Sequence, residues 1–279
     1  MSVTMTRLLT AGDDTFQGGE GREIIYGLGG DDLIFGGGGD DNLLGGAGGD
    51  ALFGDAGSDR IVGGTGTDNL QGGAGNDVLF GGGGEREAVG TNLASDNLNG
   101  GDGNDVLVAD DGNDVLTGGA GADTFAFKFT DPMVAAAAGT ARAFASLTDF
   151  DAAQDRLTFD AAGVRGDQAG AGFVDGGAGD GTPGGIAATF YSGAAAGSAG
   201  QAVVVLTTEA FASGAAAVQA AQGEERGDLI LYFNSTVGVA SLLFVDGTDA
   251  AHSVARFTGI NSVAELAAQN LTASDFLFV

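Results

Sequence analysis

A nine-residue period running from Gly18 to Ala126 leaves few folds open to this chain. It reads G-G-x-G-x-D-x-U-x, with U a large apolar residue, and is clearest at Gly36–Leu44, Gly72–Phe80 and Gly118–Ala126. The acidic sixth position holds Asp14, Glu23, Asp32, Asp41, Asp50, Asp59, Asp68, Asp77, Asp96, Asp105, Asp114 and Asp123. The apolar eighth position holds Phe16, Ile25, Ile34, Leu43, Leu52, Ile61, Leu70, Leu79, Leu98, Leu107, Leu116 and Phe125. The register slips once, where Glu85–Ala94 is inserted.

Each position has a physical reading. Glycines permit positive φ and close backbone approach, so G-G-x-G-x-D makes a tight turn. The three residues x-U-x then make a very short strand, with U on one face and its neighbours on the other. Two half-turns form a coil of 18 residues, and stacked coils bury a continuous apolar ladder that one coil alone could not sustain. Acids two half-turns apart share an edge of the stack. Asp14, Asp32, Asp50, Asp68, Asp96 and Asp114 lie on one edge; Glu23, Asp41, Asp59, Asp77, Asp105 and Asp123 lie on the other. Bare carboxylates stacked at a strand spacing of ~4.8 Å repel one another. A hard dication removes that repulsion, and calcium accepts carboxylate and backbone carbonyl oxygens alike. The expectation is a row of calcium ions along each edge, about ten if every successive same-edge pair holds one.

Over roughly residues 10 to 127 the repeat resembles that of the RTX (repeats-in-toxin) calcium-binding β-roll family. The departures are Glu23 for Asp, Leu28 and Asp55 each for a second Gly, and Ala109-Asp110-Asp111 for Gly-Gly-x. The resemblance implies an all-β fold: a parallel β-roll over 1–127, followed by a mainly β C-terminal domain, 128–279, with one or two short helices. The segment Ser146–Asp160 resembles the one that follows the repeats in serralysin-type proteases and secreted alginate epimerases. There it closes the roll and adds a calcium site, which here implicates Asp149, Asp151 and Asp155; the bare residues also read as a polar turn between strands.

Composition narrows the function. Ten Lys and Arg against 38 Asp and Glu give a net charge of −28, which argues against nucleic acid and anionic membrane surfaces. There is no Cys and a single His, so neither disulfides nor the usual zinc sites are expected. No apolar run reaches the ~18–20 residues of a membrane span, and Met1–Leu9 is too short and polar for a secretory signal peptide. The ending Asp275-Phe276-Leu277-Phe278-Val279 is similar to the uncleaved signal of type I secretion substrates, implying passage through that machinery to the cell surface or medium; it also reads as a last core strand.

Beyond the repeats, strands are expected at Ala188–Tyr191, Ala202–Thr207, Leu229–Phe233, Ala240–Val245 and Ser253–Thr258, with a hairpin loop at Asn234–Gly238. Helices are expected at Ala215–Ala221 and Ser262–Gln269, the second with a Ser262-x-x-Glu265 capping box. Residues 1–9 read as a lead-in strand over the first coil.

No enzyme is expected. H-E-x-x-H is impossible with His252 alone, no G-x-S-x-G occurs, and Ser198 lies in a small-residue loop. His252 reads as a solvated loop residue.

The outward ninth position is apolar over much of the roll, at Tyr26, Phe35, Leu44, Phe53, Val62 and Phe80. Such a patch marks an interface, covered either by the C-terminal domain or by another chain. Repeats, export and an Ala/Gly/Thr-rich β domain together are similar to bacterial S-layer proteins. The expectation is therefore a self-assembling surface or matrix component. The alternatives are an adhesive module binding through Gly163–Gly185 or Glu85–Ala94, and an enzyme or toxin fragment.

Overall fold

In the first part of the chain the backbone returns to the same register every 18 residues. The computed structural model describes residues 5–83, 94–109, 112–128, 144–159, 185–186, 190–197, 203–221, 228–245 and 251–278. The chain divides into two compact units, Met1–Lys128 and Phe129–Val279.

The first unit is a two-sided parallel roll. Its strands are β1 (Met5–Leu8), β2 (Thr15–Gln17), β3 (Glu23–Gly29), β4 (Leu33–Gly38), β5 (Asn42–Ala47), β6 (Ala51–Ala56), β7 (Arg60–Thr65), β8 (Asn69–Ala74), β9 (Val78–Phe80), β10 (Asn97–Asp102), β11 (Val106–Ala109), β12 (Val115–Ala120) and β13 (Thr124–Phe127). Odd-numbered strands pair in order in one sheet and even-numbered strands in the other. Every pair is parallel, with partners such as Leu43↔Ile61 and Leu52↔Leu70. Across the insertion the step becomes 28 residues in both sheets, Asn69↔Asn97 and Val78↔Val106, which is 18 + 10. The ladder thus keeps its register across the insertion, whose residues apart from Ala94 lie outside the described residues.

Most strands are twice the length that x-U-x implies. β5, for example, runs through Gly45, Gly46 and Ala47, because the glycine half of the repeat also joins the ladder (Leu28↔Gly46↔Gly64). Ile25, Ile34, Leu43, Leu52, Ile61, Leu70, Leu79, Leu98, Leu107, Leu116 and Phe125 have no exposed surface. Each such side chain contributes about 1.5–3 kcal/mol by leaving water. Phe16, in the first coil, is only half-buried. The lead-in strand is β1, and its side chains are exposed. Arg7 stands in register with Ile25, at the position of the inward residues, and its guanidinium lies 5.5 Å from the Phe16 ring centroid. A charged group therefore ends the apolar ladder, as terminal repeats of solenoids commonly do.

The second unit contains β14 (Ala145–Leu147), β15 (Arg156–Phe159), β16 (Gly185–Ile186), β17 (Phe190–Gly193), β18 (Val203–Phe211), β19 (Leu229–Asn234), β20 (Val239–Val245), β21 (Ala251–Phe257) and β22 (Phe276–Phe278). Six of them form a mixed sheet ordered β17-β18-β19-β20-β21-β14. In the other group β22 pairs parallel with β15 and antiparallel with β16. Helix α1 (Gly214–Ala221) sets Ala217, Val218 and Ala221 against Val204, Leu206, Ile230, Tyr232, Leu243 and Val245. The alternate residues Val203, Val205, Leu229 and Leu231 are equally buried, and α2 (Val263–Ala268) also packs on β18 and β19. With both faces covered, these strands read as continuous apolar runs. The expected hairpin loop joins β19 to β20, with Gly238 N–H donating to the Asn234 carbonyl at 2.8 Å.

Two expectations need correction. His252 is not a solvated loop residue: β21 begins at Ala251, and His252 is buried opposite Phe244, ring centroids 6.3 Å apart. The small residues around it suggested a turn, yet they fit a crowded strand equally well. The capping box of α2 is displaced. Ser262 Oγ accepts the Glu265 N–H at 3.1 Å, but the Glu265 carboxylate accepts from Asn261 N–H, one residue before the cap, at 2.6 Å.

Candidate metal centre along the turn edges

Apart from Asp14, which is only part-buried, the acidic sixth positions are buried, and all of them join two chains of hydrogen bonds. On one edge the N–H groups of Asp14, Asp32, Asp50, Asp68 and Asp96 each donate to Oδ1 of the next acid along the stack, at 2.8–3.0 Å. On the other edge Glu23, Asp41, Asp59, Asp77 and Asp105 do the same, at 2.7–2.9 Å. All ten successive same-edge pairs are joined, including the two that span the insertion.

This geometry consumes one carboxylate oxygen and leaves the other. Glu23 Oε2 and the Oδ2 atoms of Asp32, Asp41, Asp50, Asp59, Asp68, Asp77 and Asp105 are buried with no hydrogen-bond partner. A buried acceptor without a donor is costly, and more so when charged. Each of these Oδ2 atoms faces a backbone carbonyl. A Cβ placed on Gly36 would lie 2.5 Å from Asp41 Oδ2 and 2.8 Å from the Gly54 carbonyl oxygen. The same pairing recurs at Gly45 with Asp50 and Gly63, and at Gly72 with Asp77 and Gly100. The first glycine of the repeat is therefore required by space, since two oxygens crowd the point where a side chain would begin. The second glycine is required by conformation: Gly37 has φ +99°. Leu28 and Asp55, which replace it, are held at φ 80° and 70°, a region that costs an L-residue about 1–2 kcal/mol.

The electrostatics follow from burial. Loss of hydration is the largest cause at Asp32, Asp41, Asp50, Asp59, Asp68, Asp77 and Asp105, and neighbouring carboxylates at most of them add to it. Asp41 and Asp50 are raised to about 6, Asp59 and Asp105 to about 7, and Asp68 to about 8. Asp32 and Asp77 are also raised. Asp14 departs from the row, because the N–H and hydroxyl of Thr10 both donate to its Oδ2 at 2.7 Å and lower it.

Hard oxygens facing each other across a turn suit calcium, which takes carboxylate and carbonyl ligands together. Among the described residues no three Asp, Glu, His or Cys side chains gather about one point. A cation in these turns would therefore draw most of its ligands from backbone carbonyls.

The sequence reading treated the fifth position as filler, yet it carries a second ladder that runs the opposite way. Asp31 N–H donates back to Asp13 Oδ1 at 2.9 Å, Gly49 to Asp31 at 2.8 Å and Ser58 to Asp40 at 3.0 Å. Asn104 N–H donates to Asn76 Oδ1, and Ala122 to Asn104 Oδ1, both at 2.8 Å. The recurrence of Asp, Asn and Ser at that position was the available signal.

The acids after the repeats are arranged differently. Asp151 N–H donates to Asp155 Oδ2 at 2.8 Å, and Asp151 Oδ1 accepts from Ala153 N–H at 3.0 Å. Asp155 is buried, whereas Asp149 and Asp151 are exposed. These bonds form a closed polar turn between β14 and β15. Gly163–Gly185 lies outside the described residues except for Gly185, and Ser198 lies outside them too.

A parallel roll with glycine turns and buried, half-satisfied carboxylates is the build of a calcium-binding repeat solenoid. The comparisons give that class its family. The model of the RTX calcium-binding nonapeptide repeat matches residues 10–34, 17–52, 53–85 and 91–125, four copies of that repeat. The chain is also similar to "Nodulation protein O" of Rhizobium leguminosarum bv. viciae, 40% identical over 166 residues. That match covers 56% of this chain and 56% of the relative, so the chain spans little more than half of that protein's length. Among the described residues no helix is long and apolar enough to cross a membrane.

Proposed function

We propose that this protein is exported, folds on calcium outside the cell, and serves there as a non-enzymatic structural component that self-assembles at the cell surface or in the matrix. The observation that carries the folding step is the row of buried, partnerless Oδ2 atoms facing carbonyl oxygens. These atoms disfavour the folded roll when no cation is present. Calcium bound to the folded form alone draws folding forward by mass action. In a compartment poor in calcium the same atoms keep the chain open for transport. The acids that hold the ions are those of the sixth position, with the first-glycine carbonyls completing each site.

Assembly rests on the sheet faces. Leu8, Tyr26 and Leu28 are exposed on β1 and β3, and Leu44 is half-buried on β5. Contiguous exposed apolar surface marks interfaces. A calcium titration followed by far-ultraviolet circular dichroism and light scattering tests both steps. β-signal and mass rising together, both reversed by chelator, support the proposal. Folding with the mass fixed at one chain removes assembly and leaves the calcium-dependent roll as a binding module.

A further inference from the structure

The x-U-x half of the second sheet of the roll is uncharged on its outside, although the chain carries −28. No seventh- or ninth-position residue of β2, β4, β6, β8, β10 or β12 is an acid or a base. The acids within these strands, Asp55 and Asp102, lie in their glycine halves, toward the turns. In the middle of this face four primary amides form a block. Asn69 pairs in register with Asn97, and Gln71 with Asn99. All four are exposed. One bond links them, from Asn97 Nδ2 to Asn69 Oδ1 at 3.3 Å. The next two rungs carry Phe53 and Phe35 in register with Gln71. Their rings are stacked, with centroids 4.9 Å apart and planes 13° from parallel. A flat array thus joins amides at the ~4.8 Å strand spacing to a stacked aromatic pair.

We infer that this face binds a neutral, hydroxyl-rich glycan. Each primary amide offers two donor hydrogens and an acceptor oxygen, and hydroxyl groups match both at once. An apolar protein partner would strip water from these amides without replacing its hydrogen bonds. An anionic polymer would pass the acidic edges that border the sheet and meet no cation on it. The two rings provide apolar contact for the C–H face of a sugar beside the amides. The inference needs the roll folded, but neither exported nor assembled.

The test is retention of the calcium-loaded full chain on cellulose, chitin and an insoluble β-1,3-glucan, with polygalacturonate as the charged comparison. The variant is Asn97→Ala with Asn99→Ala, whose side chains are outward and exposed; circular dichroism in calcium checks that it folds. The expected result is retention on at least one neutral polysaccharide and about tenfold weaker binding by the variant. Retention on none of them, equal retention of the variant, or retention on polygalacturonate alone overturns the inference. If calcium induces no β-signal in the unaltered chain, the proposed function fails with it. Normal folding without retention sinks only the glycan site.

Discussion

The backbone N–H of Asp68 donates to Asp96 Oδ1 at 2.8 Å across 28 residues of sequence, the same bond that its neighbours make across 18. The edge therefore keeps its bonds across the ten extra residues. Deleting Glu85–Ala94 should leave the calcium midpoint of folding within about twofold, because less than ~0.4 kcal/mol of the ladder is at stake. A calcium titration by circular dichroism checks this. A large rise in the midpoint would mean that the insertion supplies ligands of its own.

Asp68 is raised further than Asp41, Asp50, Asp59 and Asp105, to about 8, and its Oδ2 lies beside the Gly81 carbonyl. Asp68→Asn keeps the Oδ1 acceptor for Asp50 N–H and exchanges an oxygen–oxygen repulsion for an amide donor. In chelator the variant should be more folded than the parent, and in calcium it should need several times more calcium to fold. The opposite signs separate a ligand from a merely structural side chain. An unchanged midpoint would show that Asp68 holds no cation.

The raised carboxylates also fix a pH dependence. Their ordinary unfolded value is about 3.9, and in the folded roll they lie between about 6 and 8. The folded form therefore binds more protons. Its stability is greatest below the unfolded value and is lost as pH rises through the folded ones. In chelator, β-structure should be gained on acidification from pH ~8 to pH ~5. With calcium near neutrality the carboxylates are ionised in the unfolded chain and in the loaded roll alike, so folding should exchange few protons, and calorimetry in two buffers of different ionisation enthalpy should give nearly the same heat.

Leu28 and Asp55 occupy the second-glycine position with positive φ, and both side chains are exposed. Leu28→Gly and Asp55→Gly should each stabilise the calcium-loaded roll by up to about 1 kcal/mol, the relief of strain exceeding the added freedom of the unfolded chain. The gain should be smaller at Asp55, since Asp tolerates that region better. Thermal unfolding in saturating calcium measures it. Destabilisation at Leu28 would mean that its side chain packs on a partner.

The roll was readable from the spacing of Gly, Asp and Leu because each coil repeats one local solution. The inward ladder and both acidic edges lie where the period places them. The fifth-position ladder was hidden because Asp, Asn, Ser and Thr share it, so that no single residue type marks the rung. The second unit was readable only in part. Val203–Leu206 and Leu229–Tyr232 announce strands by apolar runs, whereas His252 and Arg256 sit among small residues that fit turn and strand alike. Pairing order there depends on contacts distant in sequence, such as Leu147 beside Phe257, which no local pattern encodes.

A stack of equivalent coils carries nothing within it that says where to stop. At Arg7 the core position is filled by a cation lying on Phe16, and Thr10 occupies the outer oxygen of Asp14. A second roll approaching that end would find neither an apolar rung to cover nor an open carboxylate to share. Growth by adding coil to coil is thereby closed at this terminus. Any larger structure built from such rolls would have to grow from a surface other than this one.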